Sequence, residues 1–213
     1  MVHLHNGRVV EAEAGFRDAA RLMEARPEGA DPGELPVILN NLAAALTLRG
    51  ESARAIPVLR RALYLLDPGH SAAPAVATNL ARALIDEGEF AEAAPLVERA
   101  LEAGRERRSG ELQACALGLR AQIDLHEKQP ERALVHAGMA MELTGQAAPA
   151  LASRIRWIRA QALAAAGRKN EASAEVWRLL KLPSAGWTPA ERRILEHFYQ
   201  KVTNRKSRKR SDI

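Results

Sequence analysis

Apolar residues recur at helical spacing before and after a glycine in LNNLAAALTLRG followed by ESARAIPVLRRALYLL, and again in ATNLARALIDEG followed by EFAEAAPLVERAL. Such spacing gives each segment one stripe to bury and another to leave in water. The pattern also repeats on a longer scale. Gly50, Ala55 and Ala62 recur as Gly88, Ala93 and Ala100, then as Lys128, Ala133 and Ala140, then as Gly167, Ala172 and Leu179, with shifts of 38, 40 and 39 residues. Each unit therefore predicts a helix, a tight turn and a second helix. Alanine at the recurring positions lets antiparallel helices approach closely, and glycine supplies the backbone freedom a helix end needs. Where Lys128 replaces that glycine, Gln129-Pro130 still suits a helix stop and restart, because proline is tolerated in a first helical turn.

The pattern is incomplete at its start. Gly7, Ala12, Phe16 and Ala19 lie 43 residues before Gly50, Ala55, Leu59 and Ala62, so residues 8–26 read as a second helix whose first helix is cut to MVHLHN. An end unit of this kind leaves an apolar face open. Self-association through this half-repeat is the preferred expectation, with a start upstream of Met1 or another partner as the competing explanations. At the other end Thr188-Pro189-Ala190-Glu191 makes a capping box with proline at the first helical position, and Ile194, Leu195, Phe198, Tyr199 and Val202 form one apolar stripe. A capping helix over 187–203 is predicted, laid on the fourth unit with Trp177 and Trp187 beneath it.

Composition points the same way. Hydrophobic residues make up 47% of the chain but aromatics only 4%, so alanine and leucine fill the apolar positions, a palette that favours helix packing over sheet. The expected fold class is all-α, a right-handed superhelical solenoid of antiparallel helix pairs with a C-terminal capping helix. Its expected organisation is a partial repeat at 1–26, four helix-turn-helix repeats at 34–183, the cap at 187–203 and a basic tail at 204–213.

Asn41, Leu42, Ala43, Leu46, Gly50, Ala55, Ala62 and Leu63 in the first unit resemble the tetratricopeptide repeat family. So do Asn79, Leu80, Ala81, Leu84, Gly88, Phe90, Ala93, Ala100 and Leu101 in the second. The third unit matches less well, and the fourth, with Ala160, Leu163, Gly167 and Ala172, lies between. Periods of 38 to 40 exceed the family's usual length of about 34, and with the LNNLA string they are similar to the longer repeats of kinesin light chains. The resemblance covers residues 1–183. It implies a non-catalytic protein-interaction scaffold or adaptor whose concave groove holds a peptide segment or partner protein.

In stacked helix pairs the inner wall is lined by each unit's first helix. Asn79, Arg82 and Asp86 fall there at i, i+3 and i+7, and the same register brings Asn41, Gln122, His126, Arg154, Trp157 and Gln161 to that wall. Polar side chains that bond a peptide backbone, beside an aromatic contact, suit an extended or helical segment. The competing reading is structural: Asn40 and Asn41, costly to bury unpaired, bridge to the neighbouring unit. Family members that clamp a chaperone's C-terminal carboxylate join two asparagines to lysine and arginine. Here the partner positions are Val37, Cys115 and Leu119, so no such clamp is expected.

Catalytic signatures are lacking. No Gly-rich phosphate loop, helical pair of metal-binding histidines or nucleophile elbow occurs, so no catalytic residue, metal or cofactor is assigned and the chain is read as not an enzyme. His3 and His5 read as solvent-exposed, His126 and Glu127 have no nucleophile or oxyanion site beside them, and Cys115 reads as inert core within QACALGLR. A single cysteine permits no intramolecular disulfide. With neither a secretory signal nor a run long enough to span a bilayer, the expectation is a soluble cytoplasmic protein. Richness in alanine, arginine and glycine suggests a bacterial source.

The formal charge of +5 is confined to one end. Eight Lys or Arg and three Asp or Glu lie from Glu191 onward, leaving 23 of each sign before it. The tail NRKSRKRSDI carries five basic residues and one acidic, and Arg205, Lys206, Arg208, Lys209 and Arg210 are its candidate contacts to RNA, DNA or another anion. Without an aromatic stacking platform such binding should be weak and salt-dependent. The alternative function is thus a nucleic-acid-associated factor that binds through its tail while the repeats recruit partners.

Overall fold

The computed structural model describes residues 8–25, 34–67, 69–144, 148–182 and 189–203. Among these are ten helices and no strand: α1 (Arg8–Glu24), α2 (Glu34–Leu48), α3 (Ser52–Tyr64), α4 (Ala73–Asp86), α5 (Phe90–Glu106), α6 (Gly110–His126), α7 (Pro130–Thr144), α8 (Pro149–Ala165), α9 (Lys169–Lys181) and α10 (Pro189–Thr203). The fold is an all-α helical repeat of the solenoid class. The chain divides into two compact units, residues 1–119 and 120–213, and the division falls inside α6. In the first, α1 packs on α2, α2 on α3, α3 on α4 and α4 on α5, while α2 also touches α4. In the second, α7 packs on α8, α8 on α9 and α9 on α10. None of the described helices is long and apolar enough to cross a membrane.

One turn geometry joins the helices within each pair. Gly50, Gly88 and Gly167 adopt φ of 76°, 84° and 79°, and Lys128 adopts the same left-handed backbone at 59°. At each, two amides fold back on the preceding helix: Glu51 N–H reaches Leu46 O at 3.0 Å, and Gln129 N–H reaches Asp124 O at 2.8 Å, with Glu89 to Leu84 and Arg168 to Leu163 matching them. This satisfies carbonyls that a helix end otherwise leaves open. Arg108, between α5 and α6, repeats the motif with φ of 52° and a Ser109 N–H to Gly104 O bond of 2.9 Å.

The recurring alanines form the close-packed interior. Ala55, Ala62, Ala93, Ala100, Ala133, Ala140 and Ala172 are all buried, with Leu59, Val97, Val176 and Leu179 interleaved. Backbones approach closely enough at one point to require glycine. A Cβ on Gly104 of α5 would lie 2.8 Å from Cγ and 3.1 Å from the backbone nitrogen of Gln113 on α6. Pro57 and Pro95 sit inside α3 and α5, and both face solvent, where water satisfies the carbonyls that lose their helical partner.

Three buried carboxylates tie helices together. Glu13 of α1 accepts from Arg17 and Arg49, with Arg54 at 3.8 Å. Asp124 of α6 faces Arg120 at 3.2 Å, Arg132 at 3.8 Å and His136 Nδ1 of α7 at 2.5 Å. Glu175 of α9 receives Arg156 at 2.9 Å and Arg159 at 3.2 Å from α8, plus its own helix's Arg178 at 2.9 Å. A carboxylate taken out of water is tolerable only when paired in this way. Burial pulls the Glu13 carboxyl upward, but the Arg49 hydrogen bond and the charges of Arg49, Arg17 and Arg54 outweigh it and hold the group below its ordinary range.

At the end of the second unit α10 lies on α9 through Leu195, buried with Ala160, Val176 and Leu179. The aromatic beneath it is Trp157 of α8, not Trp177. Trp157 meets Phe198 edge to face, with centroids 4.8 Å apart and planes at 78°. On α9 the buried positions are Ala172, Glu175, Val176 and Leu179, and Trp177 falls off that stripe, 50% exposed, with the Lys181 ammonium 5.5 Å from its ring centroid. Trp187 and Thr188, together with His3, His5 and the tail residues Arg205, Lys206, Arg208, Lys209 and Arg210, lie outside the described residues.

Candidate peptide-binding face

In the first unit the candidate face is built by α2 and α4, which lie side by side because each is the first helix of its pair. Their contact is sealed by an amide bridge: Asn79 Nδ2 donates to Asn40 Oδ1 at 2.9 Å. Asn79 thus reaches the residue next to its counterpart, since the repeat register aligns Asn79 with Asn41. Asn41 is half-buried, and its side-chain amide has no hydrogen-bond partner among the described residues. One turn before it and two turns after it stand apolar side chains in contact with water, Val37 at 43% and Leu48 at 45% exposure. The surface is therefore a polar amide between two apolar patches.

Arg82 is half-buried on the same helix as Asn79. Asp86, at the C-terminal end of α4, accepts a 3.0 Å bond from Ser52 Oγ at the start of α3. A carboxylate there favours the positive end of α3, so Asp86 has a local structural task irrespective of any ligand.

In the second unit Gln122, Arg154 and Gln161 are half-buried and make no side-chain hydrogen bond or ion pair with the described residues, while His126 is exposed. Trp157 is engaged with Phe198 as described above. Its neighbours Arg156 and Arg159 turn to Glu175. Those two arginines and the three buried carboxylates were not anticipated from the sequence. Only the local pairings, Glu13 with Arg17, Arg120 with Asp124 and Glu175 with Arg178, are visible without the fold.

Residues 36–61 and 74–99, which hold α2–α3 and α4–α5, match the tetratricopeptide repeat model. Two of the chain's helix pairs match the tetratricopeptide repeat. Solved structures of similar fold include BtubC (BKLC) from P. vanneervenii, with a TM-score of 0.63 at 18% identity, covering 92% of this chain and 80% of that one. A Podosopora anserina protein described as a kinesin light chain, with nearly identical TPR-like repeats, gives a TM-score of 0.60 at 18% identity over 92% and 90% of the two chains. At such identity the likeness is one of fold. No curated protein sequence matches the chain. The two matched pairs keep a spacing of 38 residues between the turn glycines Gly50 and Gly88, which sit at the same left-handed position in consecutive pairs.

Proposed function

We propose that the chain is a non-catalytic adaptor whose first-helix face binds a segment of another protein. The observation that carries this reading is Asn41. A half-buried amide with no partner among the described residues leaves two donors and two acceptor sites unmatched, and the backbone of a bound peptide supplies the complementary groups. Val37 and Leu48 add apolar contact beside it. The neighbouring Asn40–Asn79 bridge holds α2 and α4 in register, so the recognition surface is in place before the ligand arrives. Gln122, Arg154 and Gln161 give the second unit a polar stripe of the same kind, and the single cysteine suits a reducing cytoplasm.

The test is nuclease-treated affinity capture from the native host with the full chain, Asn41→Ala and a chain ending at Thr203. Two hydrogen bonds of about 0.5–1.5 kcal/mol each predict a loss of roughly tenfold in affinity for Asn41→Ala, with no loss of stability because the Asn41 side chain bonds none of the described residues. Equal capture by that variant would remove the face from the account. Capture that needs the tail and collapses with nuclease would favour the nucleic-acid-associated alternative, which rests on the basic composition of residues 204–213.

A further inference from the structure

Two depressions open between second helices of the first unit, and the repeat register makes them counterparts. One, of about 320 Å³, lies between α1 and α3; the other, of about 510 Å³, lies between α3 and α5. Leu42, Pro57, Val58 and Arg61 of the smaller become Leu80, Pro95, Leu96 and Arg99 of the larger, each 38 residues on. Arg17 and Arg21 of α1 become Arg60 and Tyr64 of α3, each 43 residues on. The walls are thus alike, but the charges are closed differently.

In the smaller depression Arg61 Nη1 meets Glu24 Oε1 at 2.7 Å, so its rim is neutralised from within. In the larger one Arg60 donates to both oxygens of Glu92 at 2.9 and 2.7 Å, which uses up the local acid. Arg99, exposed on α5, has no carboxylate within ion-pair distance among the described residues. The residue in register with Glu24 is Asp67, which does not line the depression. Tyr64, 88% exposed, stands where the smaller depression has Arg21, and it adds an amphipathic ring to an apolar floor. Rigid aromatic and arginine side chains beside an apolar hollow are the elements that anchor protein partners.

We propose that the α3–α5 depression docks an acidic segment of a partner protein. An apolar side chain of that segment enters over Leu63, Leu80, Pro95 and Leu96, with Tyr64 along its flank. A carboxylate of the same segment pairs with Arg99 in the place that Glu24 takes at Arg61. The smaller depression supplies its own acid and so serves as the internal comparison. Apart from Leu80 of α4, which floors it from beneath, this surface belongs to the second helices, and it does not include Asn41.

The experiment uses the full chain and two synthetic ten-residue peptides, one with a Leu-Leu pair flanked by glutamates and one with lysines in their place. Affinity is read by fluorescence anisotropy at low salt, and the site by amide chemical-shift mapping. The acidic peptide should bind, with shifts at Leu63, Tyr64, Leu96 and Arg99, and the lysine peptide should not. Arg99→Glu should weaken the acidic peptide at least tenfold and admit the lysine peptide, and Tyr64→Ala should weaken it several-fold. Both changes are on exposed side chains, and circular dichroism checks that each variant is folded. Asn41→Ala should leave this binding unaltered, which separates the outcome from that of the first-helix face. Absence of binding, indifference to Arg99→Glu, or shifts confined to α2 and α4 would each overturn the proposal.

Discussion

Replacing Lys128 by glycine should make the protein more stable, although it removes a long side chain and adds nothing. Four turns join the helix pairs with the same two backward hydrogen bonds, three through glycine at φ of 76° to 84° and one through Lys128 at 59°. A side-chain-bearing residue in the left-handed region costs about 1–2 kcal/mol relative to glycine there. Glycine gives back part of this, about 0.5–1 kcal/mol, through the greater freedom it loses on folding. The net expectation for Lys128→Gly is a gain of about 0.5–1 kcal/mol. Lys128 is exposed and has no side-chain partner among the described residues, so no contact offsets the gain. The assay is urea unfolding followed by tryptophan fluorescence, which reads the second unit because Trp157, Trp177 and Trp187 all belong to it. With a slope of about 2 kcal/mol per molar urea the midpoint should rise by roughly 0.2–0.5 M. Gly167→Lys, in the same unit, is the mirror experiment. Nothing lies within 4 Å of a Cβ placed at Gly167, so any loss there is backbone strain alone. A midpoint for Lys128→Gly that stays put or falls would refute left-handed strain as the governing cost at this turn.

Two further substitutions test the packing and the charge network. Gly104→Ala should destabilise the chain by about 0.5–2 kcal/mol, as the clash with Gln113 exceeds the gain in helix propensity, whereas Gly138→Ala, with open space around its Cβ, should raise the thermal midpoint. Circular dichroism melts distinguish the two directions. Glu13→Gln should weaken the docking of α1 by about 1.5–3 kcal/mol at neutral pH, the range for hydrogen bonds to a charged group, read as faster amide exchange in α1. Because the Glu13 carboxyl is held below its ordinary value of 4.5, its stabilisation is complete above that pH and disappears as pH falls through the lower folded value. Wild type should therefore lose α1 protection in acid, and the glutamine variant should show a flatter profile.

The helix pairs and their turns were legible because both are written as spacing. An apolar period near 3.6 residues marks a helix, and the recurrence of Gly50 at 88 and 167, with Lys128 between, marks where pairs fold back. What depends on the neighbouring helix was less visible. Asn40 and Asn41 differ by one residue and hence about 100° of rotation, and only the position of α4 decides that Asn40 takes the bridge while Asn41 is left without a partner among the described residues. The sequence pattern places Trp177 beneath the capping helix and Trp157 on the groove wall, yet Trp157 is the one that packs against Phe198, while Trp177 stands half-exposed. Glu13 finds Arg49 across 36 residues, a distance at which local pattern carries no information. The left-handed Arg108 lies in a stretch where arginine and glutamate mask the turn that backbone geometry makes plain.

The offset in the Asn40–Asn79 bridge makes the first repeat complementary to copies of itself. Its acceptor stands at one position and the donor from the next repeat stands one residue further along the register, and the first repeat holds asparagine at both. The second repeat, with Thr78 before Asn79, supplies the donor but no amide acceptor for the next, so the described residues hold a single rung. An engineered array made only of the first repeat would carry a rung at every junction, a ladder of side-chain amides that fixes the stacking register and breaks if any helix slips by one residue.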